Sequence, residues 1–396
     1  MKDVLIVANF CDGPYENTNN RFNYIAELLS DESDIKVELI TSDFCHRSKL
    51  RRKKVNTNKL KYKITMLHEP QYNKNVSLRR FYAHYIFSRN IRNYLNKRKK
   101  PDVIYCAVPS LDVAKVTVDY AKKNNIKIII DIQDLWPEAF QMVFNVPIVS
   151  ELVFKPMYKQ ANYIYKNADR IVAVSDTYRK RALKVRGDKK SGDYIYLGTD
   201  LRKFDEFETV KKPNNEFWII YIGTLGHSYS IDLIIDSLEF LKEELNNIKF
   251  IVVGDGPLKS KFEYHAKIKG VNCKFVGRKS YEEMVGYLLA SDIAVNPITK
   301  GAAQSIINKV GDYAAAGLAV ISTQECEEYR EIINNYKIGF NCNYSVDEIS
   351  EKIKFLYLNE DIRKGMGRSN RKLAELKFDR NKTYKKIIDL ILGEMI

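Results

Sequence analysis

Lys309 and Asp312 stand three residues apart in AAQSIINKVGDYAAAGLAVIS (302–322). The spacing predicts a helix that carries both on one face with Ser305, because steps of four and three align side chains within roughly 40°. Ile307, Val310 and Ala314 form a separate apolar stripe, and Gly317 is expected to stop the helix before a short strand. A hydroxyl, an ammonium and a carboxylate in a row can grip an anion that also carries hydroxyls. An intrahelical Lys309–Asp312 pair worth ~0.2–0.5 kcal/mol is the competing reading. A second cluster lies in IDIQDLWPEAF (130–140), where Asp131, Gln133, Asp134 and Glu138 crowd the end of an apolar run. Trp136 and Pro137 would hold that turn rigid. Asp134, or Glu138 after it, could orient a hydroxyl or take its proton. Acids that only cap a helix N-terminus would look the same.

Glycines mark three further turns. Gly223 and Gly226 bracket Thr224 in YIGTLGHSYS (221–230), where small residues allow backbone N–H groups to approach an anion and a following helix offers its positive end. Gly254 and Gly256 form a turn in VVGDGP (252–257), and Arg278 follows a glycine in FVGRKS (275–280). An ordinary strand-to-helix turn and a solvated basic loop need the same residues. Asn20 and Arg21 follow the loop after the first strand, and Arg21 could approach a phosphate. The five histidines show no metal spacing, no D-x-D clamp is present, and the six cysteines form no CxxC pair. No metal or cofactor is therefore expected, and free thiols suit a reducing compartment.

These residues need a scaffold, and the pattern supplies one. Apolar strands at 3–10, 36–42, 102–108, 126–132 and 170–175 alternate with helical stretches such as 20–31 and 111–124. A polar, Pro-containing stretch interrupts at 203–217, and alternation restarts at 217–223, 249–256, 273–277, 293–297 and 318–323. Continuous apolar strands separated by helices imply parallel sheets covered on both faces. The expected α/β architecture is two doubly wound, Rossmann-like domains facing a cleft, with ligands at the carboxyl ends of the strands. Expected bounds are 1–204 for an acceptor domain, 205–217 for a linker, 218–375 for a nucleotide-sugar domain and 376–396 for a terminal helix packing back on the first domain.

The 396 residues are 45% hydrophobic and 29% charged, which describes a folded chain. No apolar run reaches 18 residues, and the N-terminus looks like a strand and not a signal peptide. The net charge is +15, with nine Lys or Arg and no acid across 46–63 and a second basic block at 88–100. VSLRRFYAHYIF (76–87) lies between them and mixes rings with arginines, which suits an anionic membrane surface better than nucleic acid. General solubility explains such charge equally well.

The order YLGTDL (196–201), YIGTLG, VVGDGP, FVGRKS to ASDIAVNP (275–297) and the opening stretch resembles the GT-B retaining glycosyltransferases of family four. DLWPE (134–138) resembles their bacterial branch for capsule, O-antigen and other surface polysaccharides. The resemblance implies an E-x7-E signature whose positions are held here by Gln304 and Asp312. Asp312 would accept from ribose hydroxyls and Gln304 would meet the donor sugar. Ser305, Ile306 and Ile307 would offer N–H groups at a helix start. Relatives place a cation after the glycine turn. His227 and Ser228 stand there instead, which throws weight on Lys309. Asn20, Arg21 and Asp134 would lie on the acceptor side. The resemblance thus implies metal-independent transfer of a sugar from a nucleotide-diphosphate sugar, such as a UDP-sugar, to a lipid-linked saccharide, with retention. It also implies a cytoplasmic enzyme, peripheral on the inner face of the membrane. A UDP-sugar 2-epimerase, a non-catalytic nucleotide-sugar or membrane-binding relative, and a nucleic-acid binder are the alternatives.

Overall fold

The computed structural model describes residues 1–13, 20–52, 58–75, 77–141, 147–187, 192–302 and 306–393, the side chains of 141 and 147–152 excepted. The chain forms two compact units, Met1–Ile195 with Tyr384–Ile396, and Tyr196–Thr383.

Unit 1 carries β1 (Lys2–Val7), β2 (Ile35–Ser42), a two-stranded ribbon of β3 (Phe44–Cys45) and β4 (Leu50–Arg51), β5 (Lys63–Leu67), β6 (Val103–Val108), β7 (Lys127–Ile132), β8 (Arg170–Ala173) and β9 (Gly192–Tyr194). Its main sheet is parallel in the order β5-β2-β1-β6-β7-β8-β9. The strand VIYCAV of β6 is buried at every position, as a strand covered by helices on both faces must be. Residues 8–10 and 174–175, expected as strand, turn instead at the carboxyl ends of β1 and β8. The segments 76–87 and 88–100, read separately from sequence, run together into one helix, Leu78–Lys97, which Ser77 caps by accepting from the Arg80 N–H at 3.2 Å. Its inner face buries Ala83, Phe87, Ile91 and Leu95. The strand β5 was hidden behind the basic run.

The final helix, Lys385–Leu392, belongs to unit 1. Tyr384, Ile387, Ile388 and Ile391 join the same apolar cluster as Val4, Ile6, Phe22 and Leu29. Lys2 Nζ and Lys127 Nζ donate to the terminal carbonyls of that helix, Leu392 O at 2.6 Å and Leu390 O at 3.1 Å, which suits cations at a helix C-terminus.

Unit 2 carries β10 (Phe217–Ile222), β11 (Ile248–Val253), β12 (Cys273–Gly277), β13 (Ile293–Asn296), β14 (Ala319–Ser322) and β15 (Gly339–Asn341). They form a parallel sheet in the order β12-β11-β10-β13-β14-β15. Both sheets therefore have the Rossmann-like order in which direction reverses beside the first strand, the point where ligands bind in doubly wound folds. The segment 205–217, expected as a linker, is docked within unit 2, with the Val210 N–H donating to Gly286 O at 3.1 Å.

Candidate functional site

In unit 2 the turn after β10 is built from backbone that must come very close together. Gly223 has φ +134° and Gly254 has φ +152°, both in the region that favours glycine. A Cβ on Gly254 would lie 1.8 Å from Gly223 O, and one on Gly256 would lie 2.3 Å from Leu225 O. The Gly223 N–H donates to Val253 O and the Gly254 N–H to Gly277 O, both at 2.9 Å. The glycines thus stitch the ends of β10, β11 and β12 into one surface. Gly223, Thr224, His227 and Arg278 are exposed there, and Gly226, Gly254 and Gly256 are half-buried. The His227 carbonyl accepts from Thr299 Oγ1 at 3.0 Å.

Lys309 comes to this turn from the helix Asn308–Ala315. It is 7% exposed, and its Nζ would lie 3.0 Å from a Cβ on Gly223. The ammonium sits 4.1 and 3.9 Å from the ring centroids of Tyr221 and Tyr229 and has no hydrogen-bond partner among the described residues. Burial pushes its pKa well below the ordinary lysine value. The two rings favour a cation electrostatically, but they do not replace a hydrogen-bonded counter-ion.

Asp312 shares the helix and not the partner. Its Oδ1 accepts from Thr199 Oγ1 and from the Tyr281 hydroxyl, each at 2.8 Å. Burial raises its pKa and those two bonds oppose the rise. The intrahelical Lys309–Asp312 pair is not formed. Asp312 instead fastens its helix to the turn at Gly198, where the Thr199 N–H donates to Phe378 O at 2.7 Å. The helix begins at Asn308, later than the sequence pattern suggests, because Ile307 is extended at φ −89°, ψ 159°. Ile306 is buried, and Ile307 is the N-cap residue and makes no side-chain capping bond. Ser305 precedes the helix, and Gln304 and Ser305 lie outside the described residues.

In unit 1 the sequence candidates are held by neighbours. Arg21 Nε meets Asp131 Oδ2 at 2.7 Å and Nη1 donates to Ile195 O at 3.0 Å, so this buried guanidinium ties the first helix to β7. Asn20 caps that helix by accepting from the Phe22 N–H at 3.1 Å. Glu138 pairs with Arg181 at 2.5 Å. Asp134 accepts from the Leu135 N–H at 2.9 Å, Trp136 Nε1 at 3.2 Å and the Tyr178 hydroxyl at 3.3 Å, while burial raises its pKa.

A different group gathers at the carboxyl edge of that sheet, and of its members only Trp136 belongs to a motif marked as a candidate site. Asn9 and Phe10 follow β1, Glu69 follows β5, Arg80 and His84 lie on the helix Leu78–Lys97, and Trp136 follows β7. Asn9 Nδ2 donates to Glu69 Oε2 at 3.0 Å. The Arg80 guanidinium lies 4.7 Å from the Trp136 ring centroid, and His84 stacks on Trp136 at 5.7 Å. A short apolar run ending in His-Glu-Pro at 63–70 was the only sequence signal for Glu69. Among the described residues no group of three or more His, Cys, Asp or Glu could hold a metal ion, and no helix is long and apolar enough to cross a membrane.

Residues 202–373 match the family model for glycosyl transferases group 1. An uncharacterized glycosyltransferase of Methanocaldococcus jannaschii is 25% identical over 242 residues, covering 58% of this chain and 60% of the relative. A glycosyl transferase of Escherichia coli named for colanic acid biosynthesis is 21% identical, covering 61% of this chain and 62% of the relative. The chain thus spans about 60% of the length of these curated relatives. HepE of Anabaena, solved in complex with UDP, superposes with a TM-score of 0.71 at 14% identity, covering 99% of this chain and 100% of HepE. At that identity the likeness shows the fold, which is the GT-B class of two Rossmann-like units.

Proposed function

We propose that the chain is a glycosyltransferase that moves a sugar from a nucleotide-diphosphate sugar, in the first instance a UDP-sugar, to a lipid-linked saccharide of surface polysaccharide synthesis, with retention. One observation carries the reading: Lys309 is buried beside the Gly223 turn without a hydrogen-bond partner among the described residues, and a diphosphate would supply the missing counter-ion there. In the transfer, an acceptor oxygen bonds to the anomeric carbon as the bond from that carbon to the phosphate oxygen breaks. The electron pair leaves on the nucleotide diphosphate. Lys309, backbone N–H groups of the Gly223 turn and the helix N-terminus at Asn308 would stabilise that charge because they are already in place. Asp134 is the residue proposed to orient the acceptor. HepE, which was solved with UDP, supports the choice of nucleotide, and the colanic acid relative supports a polysaccharide product.

The proposed acceptor is lipid-linked because the helix Leu78–Lys97 presents Leu78, Tyr82 and Tyr85 to solvent beside Arg79 and Arg89, with no acid in the helix. Rings at headgroup depth and arginines on lipid phosphate would hold the protein on an anionic bilayer, each cation contributing roughly 1 kcal/mol. Sedimentation with vesicles containing phosphatidylglycerol should bind the protein. Replacing Leu78, Tyr82 and Tyr85 by serine should weaken that binding, and unchanged binding would remove the surface from the proposal. For the donor, UDP and UDP-sugars should raise the melting temperature, since a ligand of the folded state stabilises it by about 2.7 kcal/mol at a hundred times its Kd. No shift from any nucleotide or nucleotide-sugar at millimolar concentration would end the donor reading. Incubation with a UDP-sugar alone separates transfer from epimerisation, which would interconvert sugars without an acceptor.

A further inference from the structure

We propose that unit 1 carries a binding site for an acidic sugar, in which Arg80 and Lys49 hold a carboxylate or phosphate and Asn9, Glu69 and His84 hold hydroxyls. The site lies within unit 1 alone. It rests on the acceptor half of the transfer reading and names the class of sugar accepted. Asn9 and Phe10 follow β1, His46 and Lys49 lie between β3 and β4, and Glu69 follows β5. Arg80 and His84 stand one turn apart on the helix Leu78–Lys97. Their contacts are continuous. Asn9 Nδ2 donates to Glu69 Oε2, and Glu69 Oε1 stands 3.9 Å from His84 Nε2. The Phe10 ring lies 5.5 Å from His84, 5.0 Å from His46 and 5.4 Å from the Arg80 guanidinium. Arg80 and Lys49 share Asn75, with Nη1 donating to its carbonyl and Nζ to its side-chain oxygen, both at 2.6 Å.

Two features of this group ask for a ligand. The first is a set of polar atoms without a hydrogen-bond partner among the described residues: Asn9 Oδ1, Glu69 Oε1, Arg80 Nε and His84 Nε2. All four residues are more than nine-tenths buried. Buried polar atoms are ordinarily paired in a folded protein. Glu69 Oε1 and His84 Nε2 are too far apart to bond each other and near enough for one hydroxyl to bridge. The second feature is charge. The side chains of Arg80 and Lys49 bond to Asn75, Tyr72 and His46, none of them a carboxylate. Burial, then Arg80, pushes Lys49 down to about 8 and His46 to about 3. His84 is held neutral by burial, Arg80 and His46. The acids that face Arg80, Glu69 and Asp134, are both pushed toward their neutral form by burial, Glu69 to about 7.

Ser110, Gln133, Glu138 and Tyr165 of unit 1 also keep a buried unpartnered atom, but the cation beside Glu138 and Tyr165 is Arg181, which Glu138 already pairs. Only a ligand of mixed chemistry answers the Arg80 group. A neutral sugar would leave both cations without a counter-ion, and a bare anion would face Asn9 Oδ1 and Glu69 Oε1, which need donors. A sugar with an acid and hydroxyls supplies both. Its acid takes the Arg80 Nε–H and the Lys49 ammonium in charge-assisted bonds, and its hydroxyls donate to Asn9 and Glu69. Phe10, His46 and Lys49 are half-buried and Asn75 is exposed, so the group reaches solvent on their side.

The test is calorimetric titration of the full chain with glucose, glucuronate, glucose 6-phosphate and inorganic phosphate, with and without UDP. Glucuronate or glucose 6-phosphate is expected to bind about tenfold tighter than glucose or phosphate alone, and the tighter of the two names the acid. UDP should not displace it. Arg80→Gln should weaken that binding about tenfold or more, and Lys36→Gln, at an exposed position of β2, should leave it unchanged. Lys49→Gln should weaken it as well and serves if the Arg80 variant does not fold. The proposal falls if neither acidic sugar binds, if glucose or phosphate alone binds as tightly, or if UDP displaces the acidic sugar. It also falls if Arg80→Gln and Lys49→Gln both bind within about threefold of the wild type. The UDP-induced melting shift keeps the two readings apart. A UDP shift without acidic-sugar binding removes this site and leaves the donor reading, and acidic-sugar binding without a UDP shift does the reverse.

Discussion

Lys309 and Glu69 are residues whose charged form the fold works against, and each sets a pH signature. Lys309 has a depressed pKa, so between its folded-state value and the ordinary lysine value of about 10.4 the unfolded chain binds the proton more readily than the folded chain does. Its contribution to stability therefore improves as pH rises. Lys309→Met should stabilise the protein at pH 7 by about 1 kcal/mol or more in urea unfolding, with a smaller gain at pH 9, and it should lose the UDP-induced shift. Equal stability at both pH values would mean the ammonium is not under strain. Glu69 has a raised pKa, about 7 against the ordinary 4.5. Between those values the unfolded chain ionises first, so stability is fully present below pH 4.5 and is lost as pH rises through 7. Glu69→Gln should consequently melt higher than the wild type at pH 8, by up to roughly 3 kcal/mol, and no higher at pH 4.

At the scale of elements, the donor turn depends on backbone contact and not on side chains. Gly254 must hold φ +152° while its Cα faces Gly223 O. Gly254→Ala would strain the backbone and push apart the ends of β10 and β11, so urea unfolding should show a loss of roughly 1–3 kcal/mol or more. Gly226→Ala has only Thr224 Cγ2 at 3.6 Å to meet and serves as the tolerant comparison. The helix Asn308–Ala315 shows how one element can divide its polar face. Lys309 points to the turn after β10, and Asp312 fastens the helix to Thr199 and Tyr281.

At the scale of the whole molecule, the chain leaves unit 1 after Ile195 and returns to it at Tyr384. The returning helix is part of the unit 1 core, with Lys386 Nζ also meeting Asp193 at 2.6 Å. Truncation after Thr383 should expose Phe22, Leu29 and their neighbours. The expected result is a sharply lowered melting temperature or an insoluble product, because several buried aliphatic side chains are lost together. A truncated chain that melts with the wild type would show that the helix is dispensable.

The sequence by itself determined the alternation of strand and helix, the two Rossmann-like sheets and the glycine turns, because each is written in local spacing: unbroken apolar runs, a period of 3.6, and glycines where only glycine fits. It also brought out Lys309, through a helical spacing and a missing cation after the turn. Only the tertiary structure decided which partners the charged residues take. Arg21 became a core ion pair with Asp131, 110 residues away, and Asp312 turned to Thr199, 113 residues away. Glu69 acquired its neighbours from the turn after β1 and from the helix Leu78–Lys97. Periodicity says which face a side chain occupies. Whether a buried charge there is paired, strained or poised to react depends on groups that only the folded chain brings within hydrogen-bonding distance.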